Sequence, residues 1–293
     1  MLSIVYITCN RSSELIKSIE SCEAHVSIAH EYVIIDNGST DDTEQHILIK
    51  VKEGYPIRYM IQEKNHGVSG GRNIGFKEAK GDVCYFIDDD ATIISEGFVL
   101  DIAYKYMKEN PKIMAMGTDC FDTERKTQLV GLHQKGASAN EFAPIRSFVG
   151  CSHFIRKENF TYDYLYPDNL MYGSEELYEG LSVYRVGGIV MQFPQLKILH
   201  EPSMKTREGR KERQRHGHIN TFVIKKYFLP KGYKVVSNVL FLLRIARFEK
   251  MSLKRIAADY REVKARYDSR YSRKMTCSQI RYMIRKFGWK AIV

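Results

Sequence analysis

The sequence predicts an α/β fold built on a parallel sheet, and three observations carry that prediction. Short apolar runs of strand length alternate with helical stripes from Leu2 to Ile87. Polar residues gather where those strands end: Asn10 and Arg11, Asp36 and Asn37, Asp88 and Asp90. The run Val83 to Ile87 stops at three consecutive carboxylates, Asp88-Asp89-Asp90. In open α/β sheets ligands bind beyond the carboxyl ends of strands. The polar clusters and the strand ends therefore agree on one location.

Each element has its own signal. Leu2 to Thr8 (LSIVYIT) reads as a buried strand, and Ser12 to Cys22 places Leu15, Ile16, Ile19 and Cys22 on one helical stripe. Glu31 to Asp36 is a second strand, closed by the turn Asn37-Gly38. Ser39 with Asp42 resembles a capping box opening a helix to about Glu53. Ile57 to Gln62 is a third strand, Gly67 to Lys80 a helix, and Asp82 to Ile87 a fourth strand. Such alternation implies βαβ units with right-handed crossovers. Residues 110–200 are less regular, with strand-like pieces at Ile113–Gly117 and Ile189–Phe193. Pro202 to His218 reads as a charge-dense loop carrying Lys205, Arg207, Arg210, Lys211, Arg213 and Arg215, and the chain is helical from Ile219 on.

Composition narrows the class. At 293 residues with 44% hydrophobic and 27% charged content, the chain can bury a sizeable core. Its net charge of +10 is unevenly spread: residues 201–293 hold 25 Lys+Arg against 7 Asp+Glu, and residues 1–200 hold 20 against 28. The six cysteines form no C-x-x-C pair, which reads as reduced thiols in a cytoplasmic protein without a zinc site. No basic n-region opens the chain, and no run approaches the ~20 apolar residues of a membrane span.

Three acids at one strand end repel one another unless positive charge sits between them. Mg²⁺ or Mn²⁺ suits hard oxygen ligands and takes its remaining ligands from phosphates and water, so the cluster suggests a metal–diphosphate site. A solvated acidic turn is the alternative.

These residues resemble family 2 glycosyltransferases, which have the GT-A fold. Ser3 to Arg11 looks like that family's opening strand and Asn-Arg turn. Asp36-Asn37-Gly38-Ser39-Thr40-Asp41-Asp42-Thr43 is similar to its D-x-G-S-x-D-x-T. Asn65-His66-Gly67, Gly71-Arg72-Asn73-Ile74-Gly75 and Ala79-Lys80-Gly81-Asp82 resemble its N-x-G, A-R-N-x-G and A-x-G-D. Asp88-x-Asp90 falls where the family keeps D-x-D. The match is continuous over residues 1–95 and patchier to about 230.

The resemblance implies a Rossmann-like mixed sheet flanked by helices over residues 1–230, with a basic helical C-terminal extension over 231–293. It implies an inverting transfer of a single sugar from a nucleoside diphosphate sugar, a UDP-sugar foremost, to a glycan or lipid-linked acceptor. Thr8, Asn10, Arg11, Asp36, Asn37, Arg72, Asn73, Asp88 and Asp89 would bind the donor. Asp90, Asp88 and His200 would hold the Mn²⁺ or Mg²⁺. For Arg72 a structural salt bridge is the competing reading, for Asp36 a turn-forming role, and for His200 a structural role. The general base would be Glu176, with Glu175 as the alternative; the family's usual pair there is Glu-Asp. Gly150-Cys151-Ser152 resembles the small-residue turn beside the acceptor cavity. The basic loop could fold over a diphosphate or stay solvated. Trp289, the one tryptophan, lies outside any Q-x-x-R-W motif, so polymerisation is not expected.

The basic tail interleaves aromatic residues with Lys and Arg. It suits peripheral attachment to an anionic membrane surface, the inner face of the cell membrane for a cytoplasmic protein, or a helical subdomain with a solvated basic face. No nucleic-acid-binding signature is present, and no nucleic acid is expected. Two rival functions share the acidic motif: a nucleotidyl-transfer or sugar-nucleotide-processing enzyme, and a non-catalytic nucleotide-sugar or membrane-surface binding protein.

Overall fold

The computed structural model describes the chain apart from residues 130, 139, 160–163, 171–172, 203–209, 249–251 and 292–293. The strands are β1 (Leu2–Thr8), β2 (His30–Asp36), β3 (Ile57–Ile61), β4 (Val83–Ile87), β5 (Ala91–Ile93), β6 (Ile113–Asp122), β7 (Thr127–Leu129), β8 (Ser152–Arg156) and β9 (Ile189–His200). The helices are α1 (Ser12–Glu23), α2 (Thr43–Lys52), α3 (Gly67–Glu78), α4 (Val99–Glu109), α5 (Glu175–Arg185), α6 (Arg210–Phe228), α7 (Lys231–Phe248), α8 (Leu253–Arg266) and α9 (Cys277–Phe287).

The strands form one mixed sheet in the order β3-β2-β1-β4-β8-β6-β9-β5, with β7 on β6. The first four are parallel, as the βαβ pattern requires, and β8 runs antiparallel between β4 and β6. Register decides what meets at the sheet's end. β1 and β2 finish level, Thr8 opposite Asp36. Leu2 pairs with Val83, and extending that register brings Thr8 level with Asp89. Asp122 pairs with His200 across β6 and β9.

Side-chain alternation along β1 splits the core. Leu2, Ile4 and Tyr6 face a cluster with Leu15 and Ile19 of α1 and Leu100, Ala103 and Met107 of α4. Val5 faces the other cluster, which holds Phe76 of α3, Leu177 and Leu181 of α5 and Phe222 of α6. α3 lies so close to β1 that a Cβ on Gly75 would sit 2.4 Å from Val5 Cγ1. The second cluster continues into the C-terminal helices through Phe241, Ile245, Val263, Ile280, Met283 and Phe287.

Two local expectations are corrected. The Ser39/Asp42 capping box does not form: α2 starts at Thr43 without a side-chain cap, and Ser39 Oγ accepts from Asn10 N at 2.9 Å. The loop expected over Pro202–His218 is helix from Arg210 on, because Arg215 is anchored by Glu212, Asp259 and Glu262 rather than left to water. Lys205 and Arg207 lie outside the described residues.

Candidate active site

The carboxyl ends of β1, β2 and β4 meet the end of β9 and the start of α5 at one edge of the sheet. Asp88, Asp90 and His200 bring two carboxylate oxygens and a ring nitrogen within 4.8 Å of one another. Asp90 and His200 are buried, while the Asp88 side chain keeps 35% exposure and so stays open to a ligand. His200 Nε2 is buried 3.2 Å from Asp90 Oδ1 without the alignment of a hydrogen bond. Its other nitrogen, Nδ1, lies 3.3 Å from Asp122 Oδ2. An Nδ1–H donated to Asp122 aims Nε2 at the aspartates, where loss of the Nε2 proton to solvent would free the lone pair a metal ligand needs. Burial opposes a charge on this ring, but Asp90 and Asp88 outweigh it and lift the pKa to about 9. This donor set fits a divalent ion such as Mn²⁺ or Mg²⁺.

At this edge the residues expected to bind the donor also bond to one another and to the backbone. Thr8 donates to Asp89 Oδ2 at 2.8 Å, and both residues are buried. Arg11 Nη1 bridges Asp89 Oδ1 at 2.9 Å and Asp90 Oδ2 at 2.7 Å. Arg11 therefore offsets the charge of the acidic run, and Thr8 with Arg11 sets its orientation through Asp89. Burial raises Asp89 to about 7 despite the Arg11 charge. Arg72 is 2% exposed: Nη2 donates to Asp88 Oδ1 at 2.8 Å and Gly150 O at 2.7 Å, and Nη1 lies 3.9 Å from Glu175 Oε1. The Arg72–Asp88 ion pair is a salt bridge of the kind set against a donor-binding role for Arg72. Asn73 commits its whole amide to the chain at Leu165 and Tyr166, accepting from both N–H groups and donating to Tyr166 O.

Asp36 accepts from Ser39 N at 2.7 Å and from Tyr59, so its carboxylate holds the turn. Asn37 bonds Gly67 O and His66 N, and Asn10, at φ 55°, accepts from Thr40 N at 2.7 Å. These contacts tie the loops after β1, β2 and β3 into one rim.

The acidic pair opens α5. Ser174 sits before it at φ 74°, held by Thr221 at 3.0 Å, while Asn220 donates to Gly173 O at 2.8 Å. Glu175 is 5% exposed; Glu176 is half-buried. Burial raises both carboxyls, and for Glu176 the charge of Glu175 raises it further. Gly150 explains how the pair fits: a Cβ there would lie 1.9 Å from Glu176 Oε1. Arg72 thus stands between the Asp88 edge and the glutamates, joining both halves of the site.

Sequence reasoning missed Asp122, Glu179, His153 and the pair Cys120/Cys151. Glu179 follows Glu175 by one helical turn, so periodicity could have found it. Asp122 and the cysteines carry no local signal, because only strand pairing brings them to the edge.

The sheet order and acidic edge define the GT-A class of nucleotide-sugar folds. TarS residues 1–349 of S. aureus in complex with UDP-GlcNAc superposes at TM-score 0.65 with 16% identity, over 92% of this chain and 82% of that one. The mannosyltransferase PcManGT from Pyrobaculum calidifontis in complex with GDP-Man and Mn²⁺ gives 0.61 and 14%, over 90% and 73%. A family model described as Glycosyl transferase family 2 matches residues 3–169, and the chain belongs to that family. An uncharacterized glycosyltransferase of Rickettsia felis is 31% identical over 144 residues, 49% of this chain and 23% of that protein. The GalNAc(5)-diNAcBac-PP-undecaprenol beta-1,3-glucosyltransferase of Campylobacter jejuni is 32% identical over 95 residues, 32% of this chain and 31% of that protein. The chain thus matches no more than a third of the length of either relative. The expected family and fold are borne out.

Proposed function

We propose that this protein is an inverting, metal-assisted glycosyltransferase that moves one sugar from a nucleoside diphosphate sugar, a UDP-sugar foremost, to a hydroxyl of a glycan or lipid-linked acceptor. The observation that carries this reading is the two-sided site: Asp88, Asp90 and His200 on one side of buried Arg72, Glu175 and Glu176 on the other. Asp90, Asp88 and His200 would hold Mn²⁺ or Mg²⁺. When bound there, the ion supplies positive charge to the diphosphate and its leaving oxygen. Asp122 fixes the His200 tautomer, and Arg72 holds Asp88 in place.

Glu176 takes the proton of the acceptor hydroxyl as that oxygen attacks the anomeric carbon. Between the two glutamates, exposure favours Glu176, because that residue keeps partial exposure whereas Glu175 is buried. Burial and the Glu175 charge raise its carboxyl to about 8, so it acts as a strong base in its ionised form, and transfer should rise as pH rises through about 8. The rim of Asn10, Asp36 and Asn37 is the proposed place of the nucleotide base.

A lipid-linked acceptor fits α7. Ser237, Phe241 and Ile245 point inward, leaving Val235, Val236, Val239, Leu242 and Leu243 exposed on the opposite side beside Lys231, Arg244 and Arg247. Among the described residues no helix is long and apolar enough to cross a membrane, so attachment would be in the interface plane.

Calorimetry of UDP with and without Mn²⁺ tests the site. Native protein should bind UDP more tightly with Mn²⁺, and Asp90→Ala should lose that difference. Glu176→Gln should lower kcat about 10²–10⁴-fold with UDP binding kept. Native turnover by Glu176→Gln would remove Glu176 as the base, and failure to bind UDP with Mn²⁺ would sink the reading.

A further inference from the structure

Beneath the aspartates lies a second donor set of different chemistry. Cys120, on β6, and Cys151, just before β8, place their sulfurs 3.0 Å apart. Both thiols are buried, at 0% and 4% exposure, and both are free. A ring nitrogen of His200 completes the group, with the three ligand atoms within 4.8 Å of one another. Strand pairing builds this arrangement: Cys120 precedes Asp122 by two residues on β6, so both face the same side as His200 opposite. The backbone is tied down as well, since Asp88 N donates to Cys151 O at 2.9 Å.

Two thiolates and an imidazole are soft and borderline donors, the set preferred by zinc-type ions rather than Mg²⁺. Tetrahedral zinc with Zn–S near 2.3 Å would set the sulfurs about 3.8 Å apart. The present 3.0 Å therefore needs to open by less than about 1 Å.

We propose that Cys120, Cys151 and His200 form a soft-metal site of Zn²⁺ type, whose occupation withdraws His200 from Asp88 and Asp90. Binding releases the two thiol protons and the proton on the coordinating nitrogen of His200 to solvent, and leaves two sulfur–metal bonds and one nitrogen–metal bond. One imidazole thus serves two donor sets, and the ion in the thiolate set weakens the hold of the carboxylate set on Mn²⁺. The thiolate site stands on its own geometry; only the competition rests on the metal set proposed above.

The test uses the full chain kept reduced with a phosphine. Cd²⁺ titration should raise a sulfur-to-metal ultraviolet band saturating at one equivalent. Cys120→Ala and Cys151→Ala should each lose the band or weaken Cd²⁺ binding at least about tenfold, while Asp88→Asn keeps it. X-ray absorption at the zinc edge of the native protein should show two sulfur neighbours, which needs no variant to fold. An all-nitrogen-and-oxygen shell, a band that survives in both cysteine variants, or a Cys120–Cys151 disulfide found by mass in the reduced protein would overturn the site. Mn²⁺ affinity read by electron paramagnetic resonance should fall at least about tenfold after one equivalent of Zn²⁺ in native protein, and not in Cys151→Ala. Unchanged Mn²⁺ affinity would overturn the competition. Absence of Mn²⁺ binding in the native protein would instead sink the proposed function, with the ultraviolet band still deciding the thiolate site.

Discussion

Single atoms decide the chemistry of the α5 edge. Gly150 leaves the space that Glu176 fills, and its Cβ would also meet Glu176 Cδ at 2.9 Å and Arg72 Nη1 at 3.3 Å. The obstructing group is the far end of a flexible side chain, so Gly150→Ala should fold while moving the carboxylate. Transfer should fall on the order of 10²-fold, with the melting temperature and UDP binding near native values; unchanged kcat would show that the Glu176 position is not critical. Deeper in the same helix, Glu179 is fully buried 3.9 Å from His153 Nε2, which pairs with Tyr166 Oη at 2.9 Å. Burial lifts Glu179 to about 8 and pushes His153 well down, so at neutral pH the two are an uncharged pair despite their proximity. A folded pKa above the unfolded carboxylate value favours folding of the protonated form. The stability it confers is full below about pH 4.3 and is lost as pH rises through about 8. Glu179→Gln should therefore gain on native protein across that window, by roughly a few kcal/mol, in urea unfolding at a series of pH values. A pH-independent difference would refute the buried protonated acid.

At the scale of elements, the first four strands and their helices were legible because each carries its own period. Apolar residues at successive positions made β1 and β4 readable, and Leu15, Ile19 and Cys22 made α1 readable. The start of α6 was not legible. Arg210 to His218 looks like a solvated basic run, yet Arg215 reaches Asp259 and Glu262 on α8, partners far away in sequence. α7 was only half legible: its basic content was plain, but which apolar residues stay exposed depends on what packs beneath it. Its exposed stripe predicts cosedimentation with vesicles containing anionic lipid, weakened by salt. Val239→Glu and Leu243→Glu should each reduce it several-fold without moving the melting temperature, since both side chains are more than half exposed. Equal binding by native and variant protein would exclude this face.

Across the whole molecule, a basic C-terminal third is joined to an acidic body, yet the core ignores the change of composition. Phe241, Ile245, Met283 and Phe287 share a cluster with Val5 and Phe86 of the sheet, and Tyr178 of α5 donates to Tyr271 O at 3.0 Å. Removing residues 231–293 should strip partners from Phe222 and Tyr227, which stack on Phe241 and Tyr267. The shortened chain should melt lower or aggregate, as calorimetry and sedimentation would show; a native melting temperature would mark 1–230 as an independent unit.

The sequence by itself determined the α/β class, the family resemblance and the edge where Asp88, Asp90 and Glu176 meet, because periodicity and strand-end position are local properties. Tertiary structure alone decided which groups of the chain Thr8, Asp89, Arg72 and Asn73 bond to, and that Asp122 and two thiols adjoin His200. A buried polar atom is assigned its role by whichever partner satisfies it, and strand register brings those partners from far along the chain.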